Sequence, residues 1–140
     1  MSDKIFFDTN ILVYAFDKSD KEKHHISANL IKSAFENRNG FVSTQVLQEF
    51  FVVTTKKIEK TLTINDARDI IKDFSVWTVI DTNLPVILQS IEVMKGHTLS
   101  FWDSLIICAA KVAGCSTIYT EDLSHKQVIE NIKIINPYSK

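Results

Sequence analysis

Glycine and proline are scarce, three and two among 140 residues. That leaves no linker, repeat or low-complexity tract to divide the chain. Cysteine is limited to Cys108 and Cys115, without a Cys-x-x-Cys spacing, a pattern that favours buried thiols over a disulfide or a zinc pair. Only Arg38 and Arg68 supply arginine, which weakens any arginine-based clamp for phosphate. The net charge of −1 gives no whole-molecule attraction to nucleic acid. No apolar run approaches the length of a bilayer span, and Met1-Ser2-Asp3-Lys4 does not open a signal peptide. A cytoplasmic protein with no membrane partner is expected.

What is present is ordinary globular material, 45% apolar and 24% charged in 16.0 kDa. That suits one domain over residues 1–140 with a proper core. Short branched apolar runs alternate with helical periodicity. Strands are predicted at Lys4–Asp8, Gly40–Ser43, Val76–Ile80, Cys115–Thr120 and Ile132–Ile135. Helices are predicted at Lys21–Asn37, from Ser43 or Thr44 to about Ile58, at Ile64–Phe74, Asn83–Lys95 and Ser100–Ala113, with a short one near Ser124–Asn131. Strands separated by helices imply parallel crossovers, hence an α/β/α sandwich with a short, mainly parallel central sheet. In such sheets ligands gather at the carboxyl ends of the strands.

Four carboxylates stand at element ends, most of them emerging from apolar runs: Asp8 after Ile5-Phe6-Phe7, Glu49 in Val46-Leu47-Gln48-Glu49-Phe50-Phe51, Asp103 in Phe101-Trp102-Asp103-Ser104-Leu105-Ile106, and Asp122 in Thr120-Glu121-Asp122. A buried ionised acid is strongly unfavourable unless a partner or cation compensates it. Each acid also has a plainer explanation. Asp8 suits a helix cap or turn, and Glu49 suits a rim position turned to water. Asp103, three residues after Ser100, suits helix capping. Asp122 suits a solvated loop, where Glu121 competes for the same role. Together the four point to a convergent acidic pocket for a hard metal ion.

Other candidates carry less. His24-His25 lies among charged residues and reads as a surface pair, and His97 and His125 lack zinc-spaced partners. Gly96-His97-Thr98 lacks the lysine of a phosphate loop, and no Gly-x-Ser-x-Gly elbow exists. Trp77 and Trp102 read as core or pocket-wall residues. Lys56, Lys57 and Lys60 form the densest basic group, readable as a helix C-terminus or as a phosphate-contacting patch.

In order and separation these motifs resemble the PIN domain family, in particular the VapC-type toxin ribonucleases, over nearly the whole chain. The resemblance rests on Asp8-Thr9-Asn10 followed by Ile11-Leu12-Val13, on Gln48-Glu49-Phe50, and on Asp103-Ser104-Leu105-Ile106-Ile107-Cys108-Ala109-Ala110. Thr120-Glu121-Asp122 and the closing Ile134-Ile135-Asn136-Pro137 complete it. Leu123-Ser124-His125-Lys126 departs from it, lacking the Phe and Gly many members carry there.

The resemblance implies a metal-dependent endoribonuclease hydrolysing RNA phosphodiester bonds, the toxin of a toxin–antitoxin pair. Alternatives are a free-standing RNA-processing nuclease of the same fold and a non-catalytic RNA- or protein-binding module. It implies Mg²⁺ or Mn²⁺, singly or as a pair, held by Asp8, Asp103 and Asp122. Glu49 is then a further ligand or an orienter of water, with Asp122 preferred to Glu121 by the family pattern. Thr9, Ser100 and Thr120 become hydroxyls that orient the carboxylates. The implied partners are an RNA substrate, a second copy of the chain in a homodimer, and a cognate antitoxin.

Overall fold

Each helix opens on a side chain that accepts a backbone N–H which the helix itself leaves unpaired. In the computed structural model, which describes residues 3–140, Asp8 caps α1 (Thr9–Tyr14) and Asp20 caps α2 (Lys21–Asn37). Ser43 caps α3 (Thr44–Lys56), Thr63 caps α4 (Ile64–Phe74), Asn83 caps α5 (Leu84–Gly96) and Ser100 caps α6 (Phe101–Val112). Pro85 sits in the first turn of α5, where its missing N–H removes no helical bond.

The strands are β1 (Ile5–Phe7), β2 (Gly40–Ser43), β3 (Thr78–Ile80), β4 (Thr117–Tyr119), β5 (Val128–Ile129) and β6 (Ile132–Ile135). They form one sheet in the order β3-β2-β1-β4-β6-β5, parallel throughout except for the β5–β6 pair. From β1 the chain builds outward through β2 to β3, then returns to the other side of β1 as β4. Right-handed crossovers therefore place α1 to α4 on one face and α5 and α6 on the other. This is the expected α/β/α sandwich. The reversal between β1 and β4 creates a crevice at their carboxyl ends.

Burial follows the layers. Phe6, Phe7, Val42, Ile118 and Ile134 of the sheet are fully buried, as are Ile11, Leu12, Val46 and Phe50 on one side and Ile107 and Cys108 on the other. Trp77 packs against Phe7 and Phe35 with ring centroids 4.8 Å away in each case. Gly40 lies under its indole, where a Cβ would collide with the ring. Both cysteines are buried free thiols, as expected. Among the described residues, no helix is long and apolar enough to cross a membrane.

Three expectations need correction. Residues 9–14, anticipated only as an apolar run, form α1, a helix too short to stand alone and held by its cap and tertiary packing. The short helix predicted near Ser124–Asn131 is instead a loop and the hairpin of β5 with β6. Lys126, Glu130 and Asn131 have φ of 67°, 52° and 65°, and the last two form the two-residue connection whose twist suits a tight hairpin. Lys111 and His97 fix this tip by reaching the Glu130 carboxylate at 2.8 and 3.1 Å. Of the two places expected for Trp102, the core is excluded: it is 65% exposed on the first turn of α6, beside Asp103.

Candidate active site

The parallel register of β1 and β4 pairs Phe7 with Tyr119, so the next residues, Asp8 and Thr120, leave the sheet side by side. The Asp8 amide donates to the Tyr119 carbonyl at 3.0 Å. Asp8 Oδ1 accepts the Thr9 amide and Oδ2 accepts the Thr120 hydroxyl, both at 2.7 Å. Thr120 Oγ1 in turn accepts the Asp122 amide at 3.1 Å. One buried hydroxyl thus ties the first acid to the loop bearing the last. Asp122 Oδ2 is held from the other side by Asn10 Nδ2 at 3.0 Å.

Glu49 reaches the same place from α3. It is exposed as a residue, yet its carboxylate accepts the Thr9 hydroxyl at 3.3 Å. Gln45, buried one turn earlier, lies beside it and works against the rise in its pKa. Asp103 lies half-buried in the first turn of α6. Ser100 Oγ accepts the Asp103 amide at 3.0 Å and the Ser100 carbonyl accepts the Ser104 hydroxyl. Of the three hydroxyl candidates, Thr9 and Thr120 donate to carboxylates, whereas Ser100 anchors the helix that carries one.

Electrostatics connect the four acids. Burial pushes the Asp8 carboxyl up to about 7, against the hydrogen bonds from Thr120 and Thr9 and with the charges of Asp122 and Glu49 adding to it. Glu49 is raised first by burial, then by the charges of Asp122 and Asp103. Asp122 is raised by burial and by the charges of Asp103 and Glu121. Asp8 and Glu49 are thus each raised by the charges of two of the other acids, and Asp122 by that of Asp103.

Glu121 faces elsewhere. Its carboxylate accepts the Tyr14 hydroxyl and the Lys23 ammonium, each at 2.8 Å. Lys23 also lies over the rings of Tyr14 and Tyr138. This ion pair spends Glu121 on bracing the loop and leaves Asp122 to face Asn10. Sequence reasoning missed Asn10, Lys23 and Tyr14 as parts of the site. Asn10 stood in the same triplet as Asp8, but the lysine and tyrosine carried no local signal. Of the two histidines read as a surface pair, His24 is half-buried and donates from Nδ1 to the Tyr14 carbonyl at 2.9 Å, while His25 is exposed.

Among the described residues, no group of three or more His, Cys, Asp or Glu is drawn in tightly enough to hold a metal ion by itself. The donor set nonetheless fits Mg²⁺ or Mn²⁺. It is all hard oxygen, and Mg²⁺ binds through one or two carboxylates while keeping several waters. Among the described residues, Asn10 Oδ1, on the side chain that holds Asp122, and Gln45 Oε1, one turn before Glu49, are buried acceptors with no partner. Both want donors, which a hydrated cation supplies.

Residues 5–131 match the model of the PIN domain family, and the chain belongs to that family. Solved structures with the same fold include a toxin–antitoxin complex from Klebsiella pneumoniae, 19% identical, with a TM-score of 0.69 over 98% of this chain and all of that one. VapC20 of Mycobacterium tuberculosis, described as a sarcin–ricin-loop-cleaving toxin, is 18% identical, with a TM-score of 0.66 over 85% of this chain and 90% of that one. VapBC2 of Rickettsia felis, bound to a DNA fragment from its promoter, is 21% identical, with a TM-score of 0.63 over 93% and 96%. Identities this low speak for the fold. No curated protein sequence matches the chain.

Proposed function

We propose that the protein, one domain over residues 1–140, is a divalent-metal-dependent endoribonuclease acting in the cytoplasm as the toxin of a toxin–antitoxin pair. What supports this reading is the gathering of Asp8, Glu49 and Asp122 at the β1–β4 crevice through Thr9, Thr120 and Asn10, with the charge of Asp103 acting on Glu49 and Asp122, while Lys23 beside them is paired with Glu121. A module that only bound RNA would gain nothing from crowding negative charge where phosphates approach.

Asp8, Asp103 and Asp122 hold Mg²⁺ or Mn²⁺, with Glu49 as a further ligand or as the group that orients water. When bound, the ion supplies Lewis-acid activation of water and neutralises charge developing at the phosphate. Thr120 keeps the Asp8 carboxylate aligned through its hydroxyl, and Thr9 does the same for Glu49. Asn10 fixes the rotamer of Asp122. None of these carboxylates needs to attack phosphorus itself.

Family membership and the solved relatives found in toxin–antitoxin complexes support a partner protein. So does an apolar furrow of about 490 Å³ lined by Thr44, Leu47, Gln48, Phe51, Val52 and Ile71 on α3 and α4, a surface suited to a second copy or an antitoxin segment. RNA cleavage assays test the reading. Activity should require Mg²⁺ or Mn²⁺ and stop with chelator, and Asp8→Asn should reduce the rate at least ~100-fold. If Asp8→Asn cleaves like the parent protein, the assignment is wrong.

A further inference from the structure

A nuclease whose centre is wholly acidic has to hold the substrate backbone by cations outside that centre. The arginines do not serve. Arg38 follows α2 and precedes β2, at the amino edge of the sheet opposite the acids. Arg68 is exposed on α4 and paired with Asp69 at 3.3 Å. Lys23 is held by Glu121.

Lys57 is placed differently. An open groove of about 290 Å³ runs along α3, lined by Gln48, Glu49, Val52, Val53 and Lys57. One end is a candidate acid and the other a lysine on the same helical face, about 12 Å further along the axis at 1.5 Å per residue. Lys57 is the C-cap of α3, where a cation also complements the helix dipole. Among the described residues, neither Lys57 nor its neighbours Lys56 and Lys60 forms an ion pair. The ammonium is therefore available to an anion, and the groove between it and the acids carries no other charge.

We infer that α3 is the substrate track: Lys57 binds a backbone phosphate flanking the scissile bond, and single-stranded RNA lies along the groove from Lys57 to Glu49. The inference rests on the nuclease reading above. A furrow on one helix face accommodates one backbone rather than two, and the lysine reads charge without reading sequence. Val52 and Val53 form its floor as an uncharged surface for sugars and bases.

The test uses Asp8→Asn protein, which should bind RNA without cutting it, and a fluorescent single-stranded RNA oligomer. Binding is followed by anisotropy at fixed Mg²⁺ across a potassium chloride series. Adding Lys57→Ala should weaken binding about threefold to tenfold and flatten the slope of log affinity against log salt by ~0.7, one phosphate contact on a single strand. Lys57→Arg should restore both. Lys72→Ala, an exposed lysine on α4, should change neither. In the cleaving parent, Lys57→Ala should raise KM and leave kcat unchanged. Lys57→Ala that matches Lys72→Ala in affinity and slope, while the parent binds and cleaves RNA, overturns the track and leaves the nuclease reading intact. A parent protein that neither binds nor cleaves RNA overturns both.

Discussion

Thr120 and Asp8 stand 112 positions apart in the chain and 2.7 Å apart in space, hydroxyl to carboxylate. The parallel register of β1 and β4 creates this contact, and the same hydroxyl receives the Asp122 amide. Thr120→Val keeps the shape and removes both bonds. The variant should lose about 1–3 kcal/mol of stability, since a buried carboxyl loses a donor. Its affinity for Mn²⁺ should fall at least ~10-fold, as expected when a ligand loses its outer partner. Denaturant melts and calorimetric titration of Mn²⁺ measure the two effects.

The raised pKa of Asp8 makes metal-free stability depend on pH. Its carboxyl titrates at about 7 in the fold against 3.8 ordinarily, so the folded state holds the proton more tightly than the unfolded chain does. Stability from this group is full below about 4 and is lost as pH rises through 7. The loss is on the order of 4 kcal/mol as an upper figure. Glu49 and Asp122, also raised, act in the same direction. Melting temperature in chelator should therefore fall between pH 5 and pH 7.5, and Asp8→Asn should flatten the fall. Mn²⁺ affinity should rise over the same interval as the proton leaves.

Glu121 and Asp122 are adjacent in sequence and opposite in role. Glu121→Gln should disturb the brace with Lys23 and Tyr14, lowering the melting temperature while preserving a saturable response to Mn²⁺. Asp122→Asn should do the reverse, sparing the fold and weakening the metal response. Parallel melts with and without Mn²⁺ distinguish the two, and equal metal responses would count against the assignment of Asp122.

Gly40 tests the frame that holds the site. A Cβ there collides with the Trp77 ring, which is wedged between Phe7 and Phe35. Gly40→Ala should cost about 1–3 kcal/mol, as overpacking of a filled core does, and lower the denaturant midpoint. Gly96, with open space around its Cβ position, should tolerate alanine in the same assay.

How much of this was legible beforehand follows from how local each signal is. The helix at Ser100 was readable because cap, apolar stripe and terminal glycine lie within one short segment. The parallel sheet was readable because strands and helices alternate. The stretch 124–131 was misread because residues such as Lys126, Gln127 and Glu130 are good helix formers. Pairing with β6, which no local propensity encodes, overrides them. α1 was missed for the converse reason, being shorter than any periodicity can establish. At the site, the four acids were nameable one by one. The choice between Glu121 and Asp122 depends on Lys23 and Tyr14, about a hundred residues away in the chain and visible only in three dimensions.

The central claim is that Asp8, Glu49, Asp103 and Asp122 act as one divalent-metal site, and thermal melts of the parent protein and Asp103→Asn in chelator and in Mn²⁺ test it most directly. The parent should gain ~2–3 kcal/mol once free Mn²⁺ reaches about a hundred times its dissociation constant. Asp103→Asn relieves repulsion, so it should melt at or above the parent in chelator and gain less from Mn²⁺. The Ser100 cap, which uses the backbone amide of residue 103, survives the change. A variant that melts below the parent in chelator yet keeps the full Mn²⁺ gain would mean that Asp103 only stabilises its helix, and would contradict the four-acid site.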